Sequence, residues 1–238
     1  MGLFVSEIPL ETGSLKEYNN KVRGEETRHT DSPAEETRPG EQILESEKER
    51  RKDRSMFHEM TIAGLKRQLP LCKVTDDLYI GAFIMFGDVE ITVASARELL
   101  KKAPEFDIMI TAESKGIPLV HEMARQAGVN DYIVARKGPK LYMTNIISTD
   151  VDSITTDHIQ TLCIGQHEAD LMRGRRVLIV DDVISTGESL KSIETLVNQV
   201  GGNIVGRMAV LAEGEAADRD DIIFLEKLPV FNPDGSIK

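Results

Sequence analysis

From residue 56 onward, apolar positions follow two alternating periods. Residues 92–103 place Val93, Ala96, Leu99, Leu100 and Ala103 on one side of a helical wheel, which predicts an amphipathic helix. Residues 107–111, Asp-Ile-Met-Ile-Thr, read as a short buried strand. Gly116–Ala127 reads as a helix closed by Gly128, and residues 131–135 as the next strand. The unbroken run Val-Leu-Ile-Val at 177–180 is expected of a strand covered on both faces of a parallel sheet. Residues 187–200 carry a stripe of Leu190, Ile193, Leu196, Val197 and Val200, stopped by Gly201 and Gly202. Further strands are predicted at 204–211 and 222–225. Residues 140–165, rich in Thr, Ile, Val and Asp, read as an antiparallel ribbon projecting from the sheet. Strand alternating with helix predicts an α/β fold, a doubly wound, mostly parallel sheet whose ligands sit at the carboxyl ends of its strands.

The first 55 residues follow neither period. Between Lys16 and Ser55 the large apolar side chains are Tyr18, Val22, Ile43 and Leu44, and charges of both signs crowd residues 45–54. Such a segment buries too little surface to offset its ordering entropy, so a disordered polar tail is expected at 1–55, with a loose helix at 41–54. The folded domain is expected to occupy 56–238. Its composition, 40% hydrophobic and 29% charged, is that of a globular protein. The net charge of -11 repels nucleic-acid backbones and anionic lipids, so neither is expected as a partner. Any phosphate must therefore be met locally by amides, lysines or Mg²⁺. No apolar stretch approaches the roughly 20 residues of a membrane helix. The first ten residues include Glu7 and lack the basic start of a signal peptide. Two cysteines, Cys72 and Cys163, cannot build a disulfide framework, which points to a reduced, cytoplasmic setting.

The candidate chemistry follows the apolar run at 177–180. Asp181 and Asp182 leave the strand end, and Ser185, Thr186, Gly187, Glu188 and Ser189 lead into a helix. A helix start offers unpaired N–H groups and a positive dipole end, which hold a phosphate without a basic side chain. Gly187 allows the backbone to approach the ligand closely. Paired carboxylates beside a phosphate make sense if they grip sugar hydroxyls or Mg²⁺. A plain capped strand–turn–helix would explain an isolated Thr-Gly-x-Ser, but not the complete run with its two acids. Neither a Walker A loop nor a Gly-x-Gly-x-x-Gly fingerprint is present. His158, Cys163 and His167 fit no standard zinc spacing.

Residues 177–189 resemble the motif that binds phosphoribosyl pyrophosphate (PRPP) in type I phosphoribosyltransferases, closest to the adenine phosphoribosyltransferase-like branch. The resemblance implies that Asp181 and Asp182 hold the ribose hydroxyls and Mg²⁺, directly or through water or ligand. It implies that Ser185 to Ser189 cradle the 5-phosphate. Glu113-Ser114-Lys115-Gly116 matches the branch's acidic-Ser-Arg/Lys-Gly pyrophosphate loop. Arg136-Lys137-Gly138-Pro139-Lys140 resembles its Arg-Lys-x-Gly-Lys segment with Gly and x exchanged, implying pyrophosphate contacts from Arg136, Lys137 and Lys140. Phe86-Gly87-Asp88-Val89 is similar to a Phe-Arg-Asp-Ile segment in a small N-terminal hood, here at about 56–90, and implies that Phe86 meets the base. The ribbon at 140–165 would be the flap. Catalysis would rest on Asp181, Asp182 and Lys140, with PRPP and a purine-like base, adenine favoured, as substrates of a homodimer.

Two departures bear on the base. The branch carries Glu-Tyr-Gly on its flexible loop, where this chain has Ile159-Gln160-Thr161-Leu162, and Gly87 stands where the hood has Arg. Two rivals therefore stay open. One is a PRPP-sensing regulator without catalysis, and the other a transferase acting on a different nitrogen base.

Overall fold

The computed structural model describes residues 56–149 and 161–238, all within the unit Glu45–Lys238. Every count that follows is of those residues. The tail expected at 1–55 and the tip of the ribbon at 150–160 lie outside them.

Strands β1 (Phe57–Ile62) and β2 (Leu65–Thr75) form a hairpin in which Ile62 faces Leu65. The two turn residues, Ala63 and Gly64, both have positive φ, as a twist-compatible two-residue hairpin requires. β3 (Leu78–Gly81) pairs antiparallel with β2. Helix α1 (Val89–Leu100) begins three residues before its predicted stripe because Asp88 caps it, accepting the Ile91 N–H at 3.0 Å. It ends short of Pro104, which disfavours helical backbone just ahead of it.

β4 (Ile108–Ala112) leads into α2 (Gly116–Ala127), closed by left-handed Gly128 as expected, and then into β5 (Tyr132–Ala135). Of the ribbon, the described residues contain β6 (Ile147–Ser148) paired antiparallel with β7 (Cys163–Ile164). A bridge from Arg136 to Cys163 docks this pair at the sheet edge. The sequence pattern misses α3 (Gln166–Met172), seven residues too short to display a period, whose start is fixed by Glu168 accepting the Gly165 N–H.

β8 spans Arg176–Ile184, longer than the apolar run that announced it. After α4 (Glu188–Gln199), β9 (Asn203–Glu213) carries the ladder as far as Ile184, so Asp181 and Asp182 lie inside the strand. A 3₁₀ turn, Gly214–Asp218, then precedes β10 (Ile223–Leu228) and β11 (Val230–Phe231).

The main sheet has strand order β10-β9-β8-β4-β5, with every neighbouring pair parallel. In β8, Val177 and Ile179 pack with Ile193, Leu196 and Val197 of α4, while Leu178 and Val180 pack with Leu99, Leu119 and Met123 of α1 and α2. Both faces are covered, which is why the run is continuously apolar. Full burial of each such side chain contributes roughly 1.5–3 kcal/mol.

The chain adds β5 on one side of β4, then β8, β9 and β10 on the other. The winding therefore reverses between β4 and β8, where open α/β sheets bind ligands. A second, antiparallel sheet, β1-β2-β3-β11, forms the hood, and its last strand comes from the far end of the described chain.

Candidate active site

The crevice at the carboxyl ends of β4 and β8 is built from three loops. The first, residues 185–187, turns β8 into α4. Gly187 is the N-cap with φ +82, a conformation that suits glycine, and no side chain caps this helix. The first-turn amides are thus left open toward a cavity of about 60 Å³ that Thr186, Glu188 and Ser189 help to line. Its other polar lining includes Asp181 and Ser185, with no cation among the described residues.

The second loop joins β4 to α2. Ser114 Oγ donates to Asp181 Oδ1 at 3.3 Å and accepts the Gly116 N–H. Gly116 leaves no room for a side chain, since a β-carbon there would lie 2.4 Å from Thr111 Oγ1 and 3.0 Å from Asp181 Oδ1. Neighbouring strand residues face opposite ways, so Asp182 turns from this loop's backbone to its lysine. Lys115 Nζ lies 2.8 Å from Asp182 Oδ2 and donates to the Phe83 carbonyl at 2.7 Å, tying core to hood linker. Burial, with the Asp182 carboxyl beside it, pushes Asp181 up to about 7.

The third loop, residues 136–140, is organised by Glu113. That carboxylate accepts the Lys137 N–H at 3.0 Å, pairs with Arg136 Nη1 at 3.2 Å and lies 3.6 Å from Lys140 Nζ. The Lys137 amide, with Arg136 and Lys140, holds Glu113 below its usual range. Arg136 is also held by Tyr142, whose hydroxyl accepts from Nη2 at 2.7 Å. Two positive side chains and one backbone amide are thereby gathered beside one carboxylate.

A larger cavity, about 570 Å³, opens between the turn and the hood. Val74, Leu78, Ile80 and Val230 supply apolar wall, and Glu213 and Arg219 supply polar groups beside Ser185 and Thr186. Burial raises the pKa of Glu213, with Lys115 opposing the rise.

No group of three or more His, Cys, Asp or Glu converges as a metal cage among the described residues. Asp181 and Asp182 fit Mg²⁺ in another manner. This ion usually keeps several waters and takes one or two carboxylates plus substrate phosphates.

A family model described as "Phosphoribosyl transferase domain" matches residues 90–232. The chain belongs to this family. Among relatives of the phosphoribosyltransferase domain, the purine biosynthesis transcriptional repressor PurR of Bacillus subtilis is 28% identical over 131 residues, 54% of this chain and 45% of its own length. An adenine phosphoribosyltransferase of Acetivibrio thermocellus is 32% identical over 114 residues, 48% of this chain and 63% of its own. The chain thus spans less than two thirds of the length of these relatives. An adenine phosphoribosyltransferase structure from Leishmania tarentolae aligns over 75% of this chain and 86% of its own at a TM-score of 0.52 and 17% identity, a likeness of fold.

Within this phosphoribosyltransferase domain the structure brings together Asp181, Asp182, the 185–189 turn, the 113–116 loop and the 136–140 loop. It does not bring Phe86 to either cavity described above, and that side chain is 58% exposed. Gly87 beside it has φ +83, a conformation that a larger residue adopts only with strain, and Arg67 of β2 reaches Asp88 instead, Nε to Oδ2 at 2.7 Å. Glu213 and Arg219 escaped the sequence reading. They belong to no phosphate motif, and the one available signal was their place at the end of the strand that follows α4 and just beyond it.

Proposed function

We propose that this chain binds PRPP with Mg²⁺ and transfers its 5-phosphoribosyl group to a purine-like base, releasing pyrophosphate. The observation that carries this reading is the meeting, at the switch point, of an open helix start, an acidic pair and a lysine-bearing basic loop. In the reaction the bond from ribose C1 to the pyrophosphate oxygen breaks as a bond from C1 to a base nitrogen forms. The base gives up that nitrogen's proton, and pyrophosphate departs with the bonding electrons.

The turn from Ser185 to Ser189 holds the 5-phosphate through its amides. Asp181 and Asp182 hold the ribose hydroxyls and stabilise positive charge growing at C1. Ser114, Lys115 and Gly116 with Arg136, Lys137 and Lys140 receive the diphosphate, and Glu113 keeps the basic loop in place. Asp181 and Asp182 would hold Mg²⁺, directly or through water or ligand, and the ion would supply neutralisation of the leaving charge. The base occupies the 570 Å³ cavity under the hood.

Pyrophosphate release from PRPP and Mg²⁺ across adenine, hypoxanthine, guanine, xanthine and uracil tests the reading. Turnover with a purine, adenine foremost, is expected. The similarity to PurR and the absence of Glu-Tyr-Gly support a second reading, a PRPP-responsive regulator. Micromolar PRPP binding without pyrophosphate release from any of the five bases would favour it over the transferase.

A further inference from the structure

The cations of the crevice lie on one side. Lys115, Arg136, Lys137 and Lys140 all belong to the loops assigned to the diphosphate, while the small cavity at the turn is lined by the acids Asp181 and Glu188. A phosphate dianion placed there, in a chain of net charge -11, meets amides, the hydroxyls of Ser185, Thr186 and Ser189, and like charge, but no cation among the residues that line the cavity. One cation approaches from elsewhere. Arg219 follows the 3₁₀ turn after β9, and its Nη1 lies 2.9 Å from the point where a β-carbon on Gly187 would sit. It also lines the larger cavity at the side shared with Ser185 and Thr186.

The guanidinium is held in that pose. Nε donates to Asp221 Oδ1 at 2.8 Å and Nη2 to Oδ2 at 2.7 Å, a two-point fork that leaves Nη1 with no hydrogen-bond partner among the described residues. Asp221 lies 3.8 Å from Arg207, and Arg207 pairs with Glu194 of α4, the helix that the turn begins. The arginine and the turn are thus braced against the same helix, so the free corner of the fork is preorganised.

We propose that Arg219 is a ligand of the 5-phosphate, reaching the turn at Gly187 from the segment that follows the 3₁₀ turn. The proposal rests on the assignment of residues 185–189 to that phosphate. Gly187 then serves a second purpose beyond its turn, since any side chain there would displace the guanidinium.

Ribose 5-phosphate, which lacks the diphosphate, is the probe. A charge-assisted hydrogen bond lost from such a site is expected to weaken its binding by on the order of 10- to 100-fold in Arg219→Ala and Arg219→Gln. Inorganic pyrophosphate with Mg²⁺ should bind both variants unchanged, which also reports that they are folded. Arg219→Lys should recover part of the loss, and Asp221→Asn should reproduce part of it by freeing the fork. Unchanged ribose 5-phosphate affinity in both neutral variants would overturn the proposal, as would a loss of base affinity alone. Thr186→Asp in the same titration separates the two levels. If it abolishes ribose 5-phosphate binding while Arg219→Ala does not, the arginine assignment falls and the turn assignment stands. If neither variant matters, both fall.

Discussion

Asp181 and Asp182 are adjacent in sequence yet placed in different surroundings, and their substitution should read out differently. The folded chain binds the Asp181 proton more tightly than an unfolded one, whose aspartates titrate near 3.9 (about 4). With a folded value of about 7, this group's contribution to stability is greatest below about pH 4 and is lost as pH rises toward 7. Asp181→Asn removes that dependence. The melting temperature of the variant minus that of the unmutated chain should grow from pH 4 to pH 7 and then level, while turnover is lost (window from about 4 to about 7). A flat difference would mean that Asp181 is ionised in the folded chain. Asp182, held by Lys115 at 2.8 Å, should show a kinetic effect. In the proposed reaction its best contact would be made as charge develops on the ribose, so Asp182→Asn is expected to lower kcat by on the order of 100-fold with a smaller effect on PRPP affinity. A loss of affinity as large as the loss of kcat would assign it to ground-state binding. These acids were legible in the sequence because they adjoin a recognisable run. Glu213 and Arg219 were not, because what qualifies them is burial and approach to residues more than 25 positions away, in a cavity no local pattern describes.

At the level of elements, boundaries follow side-chain chemistry that an apolar period does not record. The period located the main strands and helices of the parallel sheet, but the Asp88 cap set where α1 starts and the length of β9 set where β8 ends. The same reasoning applies to the join of β4 and α2. Gly116→Ala would press a methyl group against Thr111 and Asp181, and overpacking of this kind costs about 1–3 kcal/mol. Chemical denaturation should report that loss, together with weakened ribose 5-phosphate binding as Asp181 is displaced. A stability equal to that of the unmutated chain would show that the join relaxes freely. The 136–140 loop depends on one carboxylate, so Glu113→Gln should slacken it. Exposed ion pairs contribute at most about 1 kcal/mol each, so pyrophosphate affinity is expected to fall by roughly 5- to 10-fold, with ribose 5-phosphate unaffected. Equal loss for both ligands would assign Glu113 a role in the whole crevice.

Across the whole molecule, the fold class was legible because parallel strands buried on both faces announce themselves as apolar runs separated by helices. The hood was harder to read. Its strands are half exposed and its sheet is completed by β11, two residues that no pattern distinguishes from a loop. Phe231 of β11 is 1% exposed and packs with Leu71 and Tyr79 in a small cluster of its own, separate from the two cores that flank the parallel sheet. Phe231→Ala should therefore loosen the hood selectively, weakening purine-base binding at least 10-fold (about 1.4 kcal/mol per tenfold) while ribose 5-phosphate still binds. Equal loss of both would mean that hood and core unfold together. The pairing of Val230 with Ile80 also has a consequence in time. Val230 follows Ile80 by 230 − 80 = 150 residues. At about 5–20 residues per second, synthesis separates the two by roughly 10–30 s. Throughout that interval the partly built hood has an unpaired β3 edge, and Leu71 and Tyr79 lack the aromatic ring that covers them. The nascent chain is then most exposed to sticking and to capture by chaperones, and the cavity that Val230 walls is among the last parts of the molecule to come into existence.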